Sequence, residues 1–134
     1  MELITYGKTL HRRYSFDNAY ILVRRNGRIT FSTTSCSILN LSKKNQILFH
    51  QRKDDSRIWY LQKVKEGGFV LRTNKAMRNY SLQFSNMFIA SKIFESLDIS
   101  DGISAYIPIS PILIKDKYYE LQISNAKIKP KRKM

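Results

Sequence analysis

The stretch that decides the predicted fold is residues 24–61, RRNGRITFSTTSCSILNLSKKNQILFHQRKDDSRIWYL. Its basic start leads into a short apolar-x-apolar segment that ends at Ser32, and this pattern predicts a strand. Ser32 is a candidate N-cap for a short helix over 33–40. Two β-prone segments, 46–51 and 57–64, follow and predict two further strands. The expected unit is therefore strand, helix, strand, strand.

The dipeptide Asn26-Gly27 predicts a hairpin just before that helix. A type I′ turn requires positive φ at both central positions, which Asn-Gly adopts readily. The β-rich segment 19–25 should therefore pair with 28–32. A further strand is expected near residues 2–6.

Residues 81–123 repeat the order of the first unit. The sequence LQFS at 82–85 corresponds to ITFS at 29–32. The pattern L-x-I at 97–99 then corresponds to L-x-L at 39–41. Such self-similarity indicates a duplication. The alternative is that two ordinary β-α-β-β pieces share a Phe-Ser step by chance.

The second unit is predicted to hold the longer helix. Ile89, Ile93 and Leu97 recur at helical spacing, which gives one apolar face to a helix of about 86–97. Ser85 is its candidate cap. Strands are expected on either side of a connection that prolines interrupt. The predicted strands are 103–109 and 118–123, and the prolines are Pro108 and Pro111.

This organisation predicts an α+β fold, mostly β, in three segments. Gly67-Gly68 breaks the chain and is the expected boundary between the halves. Residues 1–66 hold the N-terminal strands and the first unit, and 67–126 hold the second unit. Residues 127–134 carry five basic residues without an apolar pattern and are predicted to be a flexible basic tail.

Composition indicates an intracellular protein with a packed core. The chain has 134 residues, of which 43% are hydrophobic and 12% aromatic, so it can bury a core. No apolar run reaches the ~20 residues of a membrane span. The start of the chain lacks the features of a secretory signal, and one cysteine, Cys36, leaves no internal disulfide. A cytoplasmic location is expected, nucleoid-associated, or within a virion if the protein is phage-encoded.

The net charge of +14 points to a polyanionic partner. The commonest physical use of such an excess is attraction to nucleic acid. Two alternatives remain open, which are charge for solubility alone and docking onto an acidic protein.

The first copy, residues 24–61, resembles the SpoVT/AbrB-type swapped-hairpin DNA-binding domains, which include AbrB-like transition-state regulators and MazE-like antitoxins. The shared pattern is a basic hairpin that ends in Gly-Arg, an apolar-x-apolar strand, a short helix, a Leu-x-apolar step, a turn and another apolar-x-apolar strand. The second copy repeats the pattern more loosely. The matching residues are Gly27-Arg28, Ile29-x-Phe31-Ser32, Leu39-Asn40-Leu41, Asn45 and Ile47-x-Phe49.

In that family two chains each supply one hairpin unit to a shared core. The resemblance implies that two β-α-β-β units in this chain form an intramolecular pseudo-dimer, as in the MraZ-like tandem regulators. One unit is too small to bury its apolar face alone. Ser32 stands where the family has proline, and Asn40 stands where it has glycine. The helix also lacks the arginine pair that some members carry.

Two basic hairpin tips are the predicted nucleic-acid contacts. Arginine suits phosphates and guanine edges because its guanidinium donates two parallel hydrogen bonds. Nearby lysines should add salt-dependent attraction to the phosphate backbone. The alternative is that the tips are solvated turns on opposite faces. The predicted contacts are Arg24, Arg25 and Arg28 in the first tip, Arg72, Lys75 and Arg78 in the second, and Lys43, Lys44, Lys131, Arg132 and Lys133 elsewhere.

Aromatic residues near basic ones have two interpretations. Stacking on unpaired bases is one, and cross-strand packing in the core is the one that we favour. Trp59 is predicted to be a core residue. The other aromatic residues concerned are Tyr14, Phe16, Tyr20, Tyr118 and Tyr119.

Enzymatic chemistry is not expected. His11 and His50 are the only histidines, and Cys36 lies in no nucleophile motif. No P-loop or metal-ligand cluster is present in the sequence, so no cofactor, metal or small-molecule substrate is predicted. A small basic nuclease that uses His11 or His50 is the catalytic alternative.

The resulting expectation is a DNA-binding protein, regulatory in role, without catalytic activity or membrane association. A homo-oligomer remains open because exposed sheet edges can pair. The alternative function is a structural or interaction protein of a phage or mobile element. Its basic surface would then meet packaged nucleic acid or an acidic partner.

Overall fold

The computed structural model of the chain describes residues 19–73, 81–98 and 102–130. The strand expected near residues 2–6 lies outside this part of the chain, as do His11, Tyr14 and Phe16. The described part is mostly β with two helices, so the predicted fold class is confirmed at that level. The elements are β1 Tyr20–Arg24, β2 Arg28–Phe31, α1 Thr33–Ile38, β3 Gln46–Gln51, β4 Trp59–Val64, β5 Phe69–Val70, β6 Arg72–Thr73, β7 Leu82–Ser85, α2 Met87–Ser96, β8 Gly102–Ile114, β9 Tyr118–Leu121, a 3-10 turn Ile123–Asn125 and β10 Lys127–Pro130.

The strands form one antiparallel, nearly closed sheet in the order β5-β3-β4-β9-β8-β1-β2-β7-β6, with β10 paired to β8. We call the part built from β10, the first half of β8, β1, β2, β7 and β6 sheet A. Sheet B contains the second half of β8, β9, β4, β3 and β5. The two end strands, β5 and β6, are separated only by the buried Leu71. Both parts therefore enclose a common core.

The long strand β8 joins the two sheets and corrects one prediction. Pro108 and Pro111 were expected to interrupt the chain, but β8 continues through both. Its residues up to Pro108 pair with β1, and its register shifts between Ile109 and Leu113, where it pairs with β9. Proline has no N–H to donate to a ladder. Both prolines are tolerated because they lie where β8 changes partners.

Helix α1 begins and ends as local capping chemistry requires. The side chain of Ser32 accepts a hydrogen bond from the Ser35 N–H, which confirms the predicted N-cap. Asn40 has a left-handed backbone with φ 53°, and the Leu41 N–H donates to the Cys36 carbonyl oxygen at 2.9 Å. This Schellman ending stops the helix at Ile38, short of the predicted residue 40.

Helix α2 presents its predicted apolar face to the core. Ala90, Ile93 and Phe94 are buried, and the helix spans Met87–Ser96, close to the predicted 86–97. The predicted cap at Ser85 is wrong, because Ser85 is still paired with Arg28 in the sheet. Asn86 caps the helix instead, with its side chain accepting from the Ile89 N–H.

The hairpin β1–β2 forms as predicted but with a different turn. Val23 pairs with Ile29, which leaves a longer loop than a two-residue type I′ turn requires. Gly27 has φ 97°, whereas Asn26 is not in the left-handed region. The Asn26 side chain accepts a hydrogen bond from the Arg28 N–H at 3.0 Å. The hairpin therefore has a turn followed by one left-handed glycine, in place of the two left-handed residues expected for a type I′ turn.

The end of the chain also differs from the prediction. Residues 127–130 were expected to belong to a flexible tail, but Lys127–Pro130 forms β10 along β8. Ile128 packs partly buried against the core, which explains why this segment is ordered as a strand. Lysine and proline are residues that protect a free strand edge from further pairing. Residues 131–134 lie outside the described chain.

The core lies between the inner faces of the two sheets and the helices. Trp59 is only 3% exposed, which confirms its predicted core position, and Cys36 is buried as well. β3 spans the predicted Gln46–Gln51. Among the described residues, neither helix has the length and apolar character needed to cross a bilayer.

Candidate nucleic-acid interface

Charge is distributed unequally between the two sheets. The strands of sheet B, as described, carry one lysine, Lys63, and one glutamate, Glu120. Lys63 already binds within the fold, because its Nζ donates to the carbonyl oxygen of Leu39 at 3.1 Å. The described strands of sheet A carry neither aspartate nor glutamate. Their basic residues are Arg24, Arg28, Arg72, Lys127 and Lys129.

Three arginines of sheet A project from its outer face. Ile29 and Phe31 point into the core, so strand alternation directs Arg28 outward. The same alternation around the buried Leu71 directs Arg72 outward, and Arg24 is exposed at the end of β1. These three arginines therefore lie on the same side of sheet A.

Strand pairing sets the spacing of two of these arginines. Arg28 lies opposite Ser85, and Arg72 lies opposite Gln83, on the two sides of β7. Neighbouring strands are about 4.8 Å apart, so the two backbones are separated by roughly 10 Å across the sheet. Two guanidinium groups at this spacing can bind separate phosphates of one nucleic acid.

Two tyrosines extend the same surface. Tyr20 and Tyr106 meet edge to face, with ring centroids 5.5 Å apart. Tyr106 is 37% exposed and lies opposite Lys127 of β10. Burial, and next the neighbouring Tyr106 phenol, raise the pKa of Tyr20, so this phenol is neutral at physiological pH. The two rings add an aromatic area beside Lys127.

The first predicted tip packs against the second half of the chain. The Arg25 guanidinium lies 4.3 Å from the ring centroid of Phe94 in α2, a cation–π contact. The Asn86 N–H, at the start of that helix, donates to the Gly27 carbonyl oxygen at 2.9 Å. These contacts fix the tip of the β1–β2 hairpin, and hence Arg24 and Arg28, relative to sheet A.

Lys43 and Lys44 are exposed in the turn before β3. Gln46 at the start of β3 pairs with Val70 at the end of β5. Lys44 and Arg72 therefore both lie just beyond the same end of the β3–β5 pair. Other predicted contacts lie outside the described residues, namely Lys75, Arg78, Lys131, Arg132 and Lys133.

Three described side chains with catalytic potential, those of His50, Cys36 and Asp54, have contacts or burial within the fold. No group of three or more potential metal ligands occurs among the described residues. His50 Nε2 shares a hydrogen bond with Gln62 Oε1 at 2.8 Å. Burial raises the pKa of the Cys36 thiol, which disfavours the nucleophilic thiolate. The Asp54 carboxyl is bound by the Arg52 guanidinium, which lowers its pKa.

Comparisons with known proteins identify no relative. No protein-family model matches the chain, and no curated protein or solved structure matches it. The geometry of the described residues is therefore the basis for the function proposed below.

Two parts of this surface, Tyr106 and Lys127, were not predicted from the sequence to belong to it. Tyr106 was not singled out because it occurs within an apolar segment, and only its alternation with the buried Ala105 and Ile107 marks it as outward-facing. Lys127 was assigned to the tail. Its neighbour Ile128 is the one apolar residue between basic ones, and that alternation was the available signal for an edge strand.

Proposed function

We propose that this protein binds nucleic acid, with DNA favoured, through the outer face of sheet A. The observation that carries the proposal is the charge asymmetry of the sheet. Arg24, Arg28, Arg72 and Lys127 are exposed on strands without acidic residues, whereas the strands of sheet B are nearly neutral. A field of one sign on one face attracts and orients a polyanion.

The proposed mechanism is backbone docking by arginine. Duplex DNA carries one negative charge per about 1.7 Å of helix axis, so a row of cations meets several phosphates at once. Arg28 and Arg72 are placed by rigid strands, and the Arg25–Phe94 contact holds the adjoining tip. Sheet A thus replaces two separated tips as the centre of the proposed interface. The first tip forms one border of that surface.

We also propose that the chain is an intramolecular pseudo-dimer of two AbrB-like units. Strand pairing supports it when β5 and β6, which only Leu71 separates, are taken together as the counterpart of β1. The pairs β1–β2, β3–β4 and β1–β8 then correspond to β6–β7, β8–β9 and β5–β3. The pairs β2–β7 and β4–β9 then join equivalent strands of the two halves. Exchange of the halves leaves this pairing pattern unchanged, apart from β10, for which the described residues contain no counterpart.

The register of the central pairs supports the same proposal. Trp59 lies opposite Leu121, and Leu61 lies opposite Tyr119, so exchange of the two strands converts one pair into the other. Both helices also end alike, because Asn40 and Asp98 have φ values of 53° and 56°. A left-handed residue after the helix is what the glycine of the family pattern would provide.

A binding assay across salt concentration tests the proposed function. The probes are a labelled duplex, a single strand of the same length and an acidic protein of matched charge. We expect duplex affinity to fall linearly with the logarithm of salt concentration, since bound counterions are released. If the protein binds neither nucleic-acid probe but binds the acidic protein, the result would support the alternative, a structural or interaction protein.

A further inference from the structure

An open cleft on the outer face of sheet B has a chemistry unlike that of sheet A. Its volume is about 500 Å³, within the range of about 300–1,000 Å³ that is usual for small-ligand sites. The cleft combines aromatic, apolar and cationic side chains. The lining residues are His50, Gln51, Arg52, Tyr60, Ile114, Lys115 and Tyr118.

Three rings from three neighbouring strands form the aromatic wall of the cleft. His50 on β3 lies opposite Tyr60 on β4, and Tyr118 on β9 lies opposite Gln62 of β4. The His50 and Tyr118 ring centroids are 5.3 Å apart at 82°, and those of Tyr60 and Tyr118 are 5.9 Å apart. The hydrogen bond from His50 to Gln62 fixes the imidazole ring. The wall is therefore built by the sheet rather than by mobile loops.

Two cations border the cleft, and they differ in availability. Arg52 Nε donates to Asp54 at 2.9 Å, and a second guanidinium nitrogen donates to the other carboxylate oxygen. Part of its charge is thus compensated. Lys115 is exposed in the β8–β9 turn, where its backbone has φ 52°. A ligand with a flat π-face and an adjacent anion matches the rings and the lysine.

We propose that this cleft binds one unpaired nucleotide, whose base stacks on the Tyr60–Tyr118 wall while its phosphate pairs with Lys115. Bases stack on aromatic side chains with little regard to sequence, because every base has a π-face. The site is separate from the proposed duplex-binding face, since sheets A and B turn their outer faces away from the shared core. The protein would then hold a duplex on one face and a single-stranded segment on the other.

The test uses tetrathymidylate and an abasic tetramer with the same phosphate backbone, titrated at high salt and followed by NMR of the tyrosine rings. Wild type should bind tetrathymidylate more tightly than the abasic tetramer, with shifts at Tyr60 and Tyr118. Tyr118→Leu should weaken tetrathymidylate binding by about 5-fold to 150-fold, the loss expected for stacking of one base. Tyr106→Leu, the matched change on sheet A, should leave it unchanged.

Two outcomes would overturn the proposal. One is equal affinity of the wild-type protein for the base-containing and abasic tetramers, which needs no variant and no assumption about folding. The other is an unchanged affinity of Tyr118→Leu for tetrathymidylate. The Arg28→Ala and Arg72→Ala changes distinguish the two sites, because they should weaken duplex binding and leave the binding of tetrathymidylate unchanged. If only the Arg28→Ala and Arg72→Ala changes weaken tetrathymidylate binding, the tetramer binds to sheet A.

Discussion

Trp59 and Ser96 are joined by a buried hydrogen bond between the two halves of the chain. The indole Nε1 donates to Ser96 Oγ at 2.8 Å, and the same hydroxyl donates to the Ser56 carbonyl oxygen at 2.7 Å. Trp59 begins β4, whereas Ser96 ends α2. One hydroxyl therefore connects the last turn of the long helix to the start of a central strand.

Replacement of this hydroxyl should destabilise the fold. Ser96→Ala leaves the buried Trp59 N–H without its acceptor, which should cost about 1–3 kcal/mol in the free energy of unfolding. Urea unfolding followed by the fluorescence of Trp59, the only tryptophan, measures the loss. Ser91→Ala on the exposed face of the same helix is the control and should change stability by less than about 0.5 kcal/mol. Equal stability of the two variants would show that the hydrogen bond contributes nothing.

Asn40 should tolerate glycine better than alanine. Its φ of 53° is left-handed, a conformation that costs a residue with a Cβ atom about 1–2 kcal/mol. Asn40→Ala should therefore lower the thermal midpoint, while Asn40→Gly should keep it or raise it. The same pair of changes at Asp98, with φ 56°, provides an internal replicate. A neutral Asn40→Ala variant would contradict the proposed helix ending.

The adjacent glycines between the halves should respond differently to alanine. A Cβ atom at Gly68 would lie 2.7 Å from the Ile47 carbonyl oxygen, so Gly68→Ala must push β5 away from β3. Such overpacking costs about 1–3 kcal/mol. Gly67 has φ 86° with no atom within 4 Å of an added Cβ, so Gly67→Ala should cost only backbone strain, about 1–2 kcal/mol. Urea midpoints that show Gly67→Ala as the less stable variant would refute this packing.

Local sequence patterns predicted the elements that depend on local chemistry. β3 spans the predicted 46–51, a β-prone segment. The apolar spacing of Ile89 and Ile93 similarly located α2. The cap of that helix is Asn86, one residue after the predicted Ser85, because Ser85 pairs with Arg28 of β2. A local sequence pattern does not predict such long-range pairing.

Long-range topology decided the features that the sequence did not predict. Pro108 and Pro111 are ordinary chain breakers until β8 is known to change partners beside them. The candidate site shows the same limit. Arg24, Arg28 and Arg72 were all predicted contacts, but their position on one face depends on β7 lying between β2 and β6.

The proposed function places the binding charge on the outer face of sheet A. Its most direct test is duplex-DNA affinity as a function of salt for two triple variants of equal charge loss. The first removes Arg24, Arg28 and Arg72 by alanine, and the second removes exposed cations in turns beside sheet B. The residues of that matched control are Arg57, Lys65 and Lys117.

If sheet A is the interface, the arginine triple should flatten the slope of log affinity against log salt by up to about 2.7, at about 0.9 for each phosphate that is no longer neutralised. The control triple should leave the slope nearly unchanged, because charges outside the interface release no counterions on binding. Fluorescence anisotropy with a labelled duplex measures both slopes. Equal flattening by the two triples would contradict the account and indicate a polyanion-binding surface without a defined face.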